Sequence, residues 1–243
     1  MVNKREQLEI IFSLDSISAI EALKALLGVT EELAYVIDAD SELAHLRSSS
    51  FLTKVEKSGK WSQELRFAGM SFQFGTVTAW RHCFIFIKQL EAGKPVDWNI
   101  WLAPFIKKQG FVQAWIADLE FNYWQNAEQP IQYELANRDY SKLPLKSNGD
   151  PPPLQAMWID ISNNPGKRVI KEGYVEAVGE KMWLSPIFKE RIGGIDIDRL
   201  RAAGWTVDTK SIDGITVLTA PKGSFSEGID TKYQQKLRAA LYD

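Results

Sequence analysis

The stretch GFVQAWIADLEFNYWQNAEQPIQYELANRDY, Gly110 to Tyr140, decides how the chain is read. It sets Trp115, Phe121, Tyr123 and Trp124 among Asp118, Glu120, Asn122, Gln125 and Asn126, so large apolar groups and hydrogen-bonding groups share one segment. Such a mixture suits a binding surface. Read as a strand, Phe111, Trp115, Ala117, Leu119, Phe121 and Tyr123 face one side. The other side carries Val112, Ala114, Ile116, Asp118, Glu120 and Asn122, apolar at first and acidic from Asp118 onward. Val112, Trp115, Ile116, Leu119 and Tyr123 also fall near helical spacing, but the aromatic density favours the strand.

Upstream, Leu8, Ile10, Phe12 and Leu14 alternate and predict a first strand. Asp15 or Ser16 then caps a helix with the stripe Ile17, Ile20, Leu23, Leu26 and Leu27, ending at Gly28. Further helical stretches are expected from Thr30 and from Ser41 to Arg47. Between Lys57 and Gly75 a hairpin is expected, with Trp61, Leu65 and Phe67 on one arm, a turn at Ala68-Gly69, and Phe72 and Phe74 on the other. Val77, Trp80, Phe84, Ile87 and Leu90 predict a helix ending at Gly93, although the CFIFI run within it also suits a strand. Asp97 is placed to cap a helix carrying Trp98, Trp101, Leu102 and Phe105, which Pro104 is expected to kink or split into two short turns.

Downstream, SKLPLKSNGDPPPLQ reads as a long surface connection, and a subdomain boundary, if the chain has one, falls there. The chain is then one unit, residues 1–243, or two closely packed subdomains, 1–140 and 154–243. AMWIDIS reads as a strand ending at the turn SNNPGK, and RVIKEGYVEAV is expected to pair nearby. Asp196 caps IDRLRAAG, closed by Gly204. WTVDTKSI and ITVLTA form a hairpin through Asp213-Gly214, and the last helix presents Tyr233, Leu237, Ala240 and Leu241 on one face. A βα opening followed by hairpins and helices predicts an α+β fold with mainly antiparallel sheet.

The 243 residues are 45% hydrophobic and 25% charged, enough to bury a substantial core. Twenty-nine basic against 31 acidic residues leave no global positive field, which disfavours nucleic acid as a partner. MVNKREQLEIIFSL is too short and too polar for a signal peptide, since Glu9 interrupts its apolar run, and no window resembles a membrane span. A cytoplasmic location without membrane contact is therefore expected. Cys83 is the only cysteine, which excludes an intrachain disulfide and a multi-cysteine metal site.

The two histidines, His45 and His82, offer little for acid–base catalysis. His82 and Cys83 are adjacent in sequence, so a strand points them to opposite faces. A buried core cysteine is the simpler reading. No phosphate-cradling glycine loop and no nucleophile elbow is visible. Asp118 and Glu120 on one strand face would stand roughly 6 to 7 Å apart. With Glu128 or Asp139 they could hold a divalent metal, so a metal-assisted hydrolase is the alternative reading. Of the nine tryptophans most belong to the core, with Trp124, beside Gln125-Asn126, the exception.

Three blocks carry a resemblance: Trp124 to Ala127 followed by Tyr133 and Arg138, Asn164 to Lys167, and Met182 to Leu184. This pattern of W-Q-N-A, Tyr, Arg, N-P-G-[RK] and M-W-L resembles the bacterial polymorphic-toxin immunity proteins of the group numbered fifty-two, which are associated with type VI secretion. Lys167 departs from the expected arginine. The resemblance implies a cytosolic protein without enzyme activity or cofactor that binds and neutralises a secreted toxin of nuclease type. An acidic partner can occupy the cationic surface of a nuclease. On that basis Asp118, Glu120 and Glu128 are expected to supply field, and Tyr123, Trp124, Gln125 and Asn126 contact.

Overall fold

The computed structural model describes residues 4–33, 42–61, 64–209 and 214–243. Its frame is one antiparallel sheet. From edge to edge the strands are β11 (Thr206–Asp208), β12 (Thr216–Thr219), β10 (Lys181–Leu184), β5 (Phe111–Asp118), β1 (Glu6–Ser13), β4 (His82–Gln89), β3 (Met70–Val77) and β2 (Leu65–Phe67). Strands from both sides of the connection at 141–155 thus hydrogen-bond within the same sheet. Two small hairpins stand outside it, β6 (Leu145–Ser147) with β7 (Met157–Ile159) and β8 (Val169–Lys171) with β9 (Tyr174–Glu176). With its helices this is a mixed α+β protein.

Strand alternation assigns the two cores. Leu8, Ile10 and Phe12 of β1 face a layer built from α1 (Ala19–Glu32), α2 (Glu42–Arg47), α3 (Ser49–Ser58) and α4 (Trp98–Ile106). On the opposite face Ile11, Trp115, Met182 and Leu218 pack against α7 (Pro186–Arg191), α8 (Ile197–Ala203) and α9 (Thr231–Tyr242). Pairing of β1 with β5 shifts between Ile11, opposite Gln113, and Phe12, opposite Phe111, which leaves Val112 as an extra residue of β5. A third, small cluster of Trp124, Ala127, Tyr133 and Ile159 joins α5 (Leu119–Asn126) and α6 (Pro130–Leu135) to the β6–β7 hairpin.

The decisive stretch is a strand only as far as Asp118. There the carboxylate accepts a hydrogen bond from the Phe121 backbone N–H at 3.0 Å and caps α5, so the expected strand faces end at this residue. A second correction concerns residues 76–93. The predicted helix is instead the end of β3, a short 3-10 turn at Thr78–Trp80 with Arg81 left-handed (φ 51°), and β4. Cys83, Ile85 and Ile87 are buried on one face while Phe84, Phe86 and Lys88 take the other. Apolar residues on both faces had imitated a helical stripe.

Smaller differences have local causes. The first helix is capped by Ser18 rather than Asp15 or Ser16, because Ser18 and Glu21 form a reciprocal capping box, and it runs past Gly28 through Thr30 to Glu32. The α4 helix begins at Asp97 as expected but continues through Pro104 as one element. Residues 34–41, which hold most of the expected second helix, and Asp213 of the expected β11–β12 turn lie outside the described residues. The paired strands themselves match the expectation, as do the hairpin at Ala68-Gly69, the Asp196 cap and the Gly204 stop (φ 119°).

Candidate functional site

The α7–α9 layer covers only part of its sheet face. Over β1 and β4 the same face lies under a cleft of about 400 Å³. Its floor follows from register: Gln7 stands opposite Lys88 and Glu9 opposite Phe86, with Arg5 two residues ahead of Gln7 on the same side. One wall is α5, which contributes Glu120, Asn122, Tyr123 and Asn126, and the other side is Arg168.

Glu9 is 1% exposed, in the middle of β1 and flanked by Leu8 and Ile10. Arg168 donates to it at 2.8 Å, the Gln7 side-chain amide donates as well, and Asn122 lies at 3.5 Å. Burial pushes the Glu9 carboxyl above its ordinary value, against the pull of Arg168 and Lys88. A buried carboxylate held this way requires its partner to be held too.

The chain holds Arg168 through the end of α5. Asn126 accepts from the Arg168 backbone N–H at 2.7 Å and donates to the Asn122 carbonyl at 2.8 Å. Gln125 accepts from Gly166 N–H at 2.8 Å, and its own carbonyl accepts from the Asn164 amide at 3.0 Å. Gly166 must be glycine for this fit, since a Cβ there would stand 2.6 Å from both Gln125 and Phe121. From below, Arg238 of α9 donates to the Lys167 carbonyl at 2.8 Å. The W-Q-N-A and N-P-G-K blocks are therefore two halves of one clasp that aims Arg168 at Glu9.

The seven residues expected at a partner site divide accordingly. Glu120, Tyr123 and Asn126 line the cleft, and Glu128 lines an adjoining hollow while pairing with Lys146 at 2.8 Å. Gln125 serves the clasp. Trp124 is buried, its indole N–H donating to Glu120 at 2.6 Å and Arg138 lying 4.4 Å over its ring, so it is an internal brace and not a surface anchor. Asp118 is the α5 cap, half-buried, with burial raising its pKa and Lys4 at 3.9 Å. Asp118 and Glu120 consequently share no strand face, and the geometry imagined for a metal pair is absent. Among the described residues no group of three or more His, Cys, Asp or Glu side chains is placed to hold a metal. Cys83 and His82 are both buried, and His82 sits 3.2 Å from the Trp80 carbonyl.

The sequence reading missed Arg5, Gln7, Glu9, Lys88 and Arg168. One signal was available: a single carboxylate inside the alternating run LEIIF needs either solvent or a cation. Which cation, 159 residues away, no local pattern could tell.

No protein-family model matches the chain, and no curated protein matches its sequence. Among the described residues no helix is long and apolar enough to cross a membrane.

Proposed function

We propose that this chain is an immunity protein, which neutralises a cognate secreted toxin by binding it stoichiometrically. One observation supports the reading most directly. Of the eleven large hydrophobic residues left exposed among the described residues, seven fall between Tyr123 and Met157, on α5, α6 and the segment of the β6–β7 hairpin. Leu135 is 82% exposed and Leu154 71%. Exposed apolar groups gathered on one small unit, stiffened beneath by Trp124, Tyr133 and Ile159, are what a protein partner covers.

In this reading Tyr123, Ile131, Leu135, Leu145, Leu154 and Met157 supply the contact area, with Glu120 and Glu128 at its rim. Trp124, Gln125 and Asn126 build the platform underneath. The clasp also gives two of the three resembling motif blocks, Trp124 to Ala127 and Asn164 to Lys167, a physical role, since they fix the shape of the unit that bears the surface.

The test is an affinity capture from the producing strain, with the tagged chain as bait. A stoichiometric partner that is toxic when expressed alone and harmless beside this chain supports the proposal. The protection should fail for Ile131→Asp with Leu135→Asp while the variant stays folded. A partner without toxicity, or one whose toxicity this chain does not relieve, overturns it.

A further inference from the structure

The cleft beside α5 has a charge balance that its own structure does not complete. Arg168 is matched by Glu9 at 2.8 Å. Arg5 and Lys88 make no ion pair with any described residue, and neither donates a side-chain hydrogen bond within the described chain. Glu120 is the remaining acid of the lining, and its carboxylate already accepts from the Trp124 indole. Lys88 also acts on Glu64 beyond the lining, but that carboxylate is paired with Arg66 at 3.1 Å, so within the lining three cations against two carboxylates leave one positive charge over.

The placement is regular. Gln7 and Glu9 follow one another on one face of β1 at a spacing of about 7 Å, Arg5 continues the row just ahead of the strand, and Lys88 stands beside Gln7 in register. A ligand lying along this row meets the cations Arg5, just ahead of β1, and Lys88 of β4, and the Asn122 amide from α5, whereas the Asn126 amide is taken up by the clasp. Two rings complete the lining, Phe86 on the floor and the half-exposed Tyr123 on the wall. A volume of about 400 Å³ is that of a small-ligand cleft.

We propose that this cleft is a carboxylate-binding site. The ligand's carboxylate lies between Arg5 and Lys88, and its apolar body lies against Phe86 and Tyr123. Excess positive charge of one unit matches a monoanion, and side-chain donors on three elements suit an oxyanion's several acceptor positions. The buried Glu9–Arg168 pair then acts as a positioning device: it satisfies Arg168 internally, so that Arg5 and Lys88 alone remain for the ligand. Two sources share this chemistry, a free small organic acid and an acidic side chain of a bound protein. The inference stands on the cleft and not on the toxin-binding reading, although the two share α5.

The experiment is a heteronuclear NMR titration of the full chain with benzoate and, separately, N-acetylaspartate α-methylamide, a monoanion whose one carboxylate is that of the side chain. Saturable shifts are expected at the backbone amides of Lys88, Asn122 and Asn126 and at the side-chain amide of Asn122. Arg5→Gln with Lys88→Gln should weaken binding about tenfold or more, the worth of one lost charge-assisted hydrogen bond or greater. Neither side chain makes an internal hydrogen bond or close ion pair, and Lys88 acts on Glu9 and Glu64 only through its charge, so the double variant is expected to fold, and the single variant Arg5→Gln, at an exposed site, repeats the test if it does not. Saturable binding that survives both substitutions, or no saturable shift with either probe, overturns the proposal. Against a captured protein partner, competition by N-acetylaspartate α-methylamide and a matching loss in the double variant identify the side-chain source. Probe binding without any effect on the partner identifies the free acid, and probe binding in a chain that protects against no toxin sustains this site while the toxin-binding reading fails.

Discussion

The two faces of β1 carry the same burial with opposite chemistry. Leu8, Ile10 and Phe12 are each 0% exposed and meet only apolar neighbours from the helical layer. Gln7 and Glu9, alternating with them, are 3% and 1% exposed, yet they meet Lys88, Asn122 and Arg168 at the floor of a cleft. A dry face depends on volume and contact, whereas a polar buried face depends on every member finding its partner. The first kind stabilises a fold, and the second fixes where distant segments sit.

Substitutions on the two faces should separate these roles. Phe12→Ala removes a ring in edge contact with Phe105 at 6.3 Å and Phe111 at 5.9 Å, and should cost about 3–5 kcal/mol in denaturant unfolding. This loss should vary little with pH. Arg168→Met strands the Glu9 carboxylate and should cost about 2–4 kcal/mol, reduced from the fully buried case because a third of the Arg168 side chain is exposed.

The polar face should also betray itself by pH. Burial raises the Glu9 pKa in the folded chain, so the folded state keeps this proton more tightly than the unfolded one. The associated stability is complete below the ordinary carboxylate value and is lost as pH rises through the raised folded value. Glu9→Gln should therefore flatten the wild-type curve in that window, and Arg168→Met should steepen it, as read from urea midpoints across the acidic to neutral range. Equal slopes in all three proteins would place Glu9 in contact with water.

Two milder substitutions sharpen the contrast further. Asn126→Ala deletes the hydrogen bonds that tie the Arg168 backbone to α5 and should cost about 1–2 kcal/mol. Leu135→Ser, at a side chain 82% exposed, should change stability by less than about 0.5 kcal/mol while lowering affinity for a captured partner. A large stability loss there would mean that Leu135 packs within the chain.

Much of the fold was legible because it depends on neighbours in sequence. The first strand and helix, the Asp97 and Asp196 caps, the Gly204 stop and the hairpin at Ala68-Gly69 all rest on period or turn chemistry within a few residues. Errors arose where two periods coexisted. In β4 both faces carry apolar residues, so Val77, Trp80, Phe84 and Ile87 imitated a helix. At Asp118 the alternation of the strand ran on into the first residues of α5, and only the cap shows where one ended.

The candidate site was legible by segment and misread by residue. Glu120, Tyr123 and Asn126 do line the cleft, but Trp124, equally prominent in sequence, is buried as a brace, and Gln125 is spent on the clasp. An aromatic or amide side chain has the same identity at either place. Which one it takes depends on the helix phase that Asp118 sets.

Sequence by itself determined the α+β class, the order of most elements and the α5 segment as a place where apolar and polar groups meet, since these follow from propensity and local pattern. Tertiary structure alone decided that β1 has a charged floor, that the clasp between Gln125-Asn126 and Gly166-Arg168 answers Glu9, and that Arg5 and Lys88 are left over. The physical reason is desolvation. A buried carboxylate demands a cation, but the demand does not specify which one, and only the folded chain brings residues 9 and 168 within 2.8 Å.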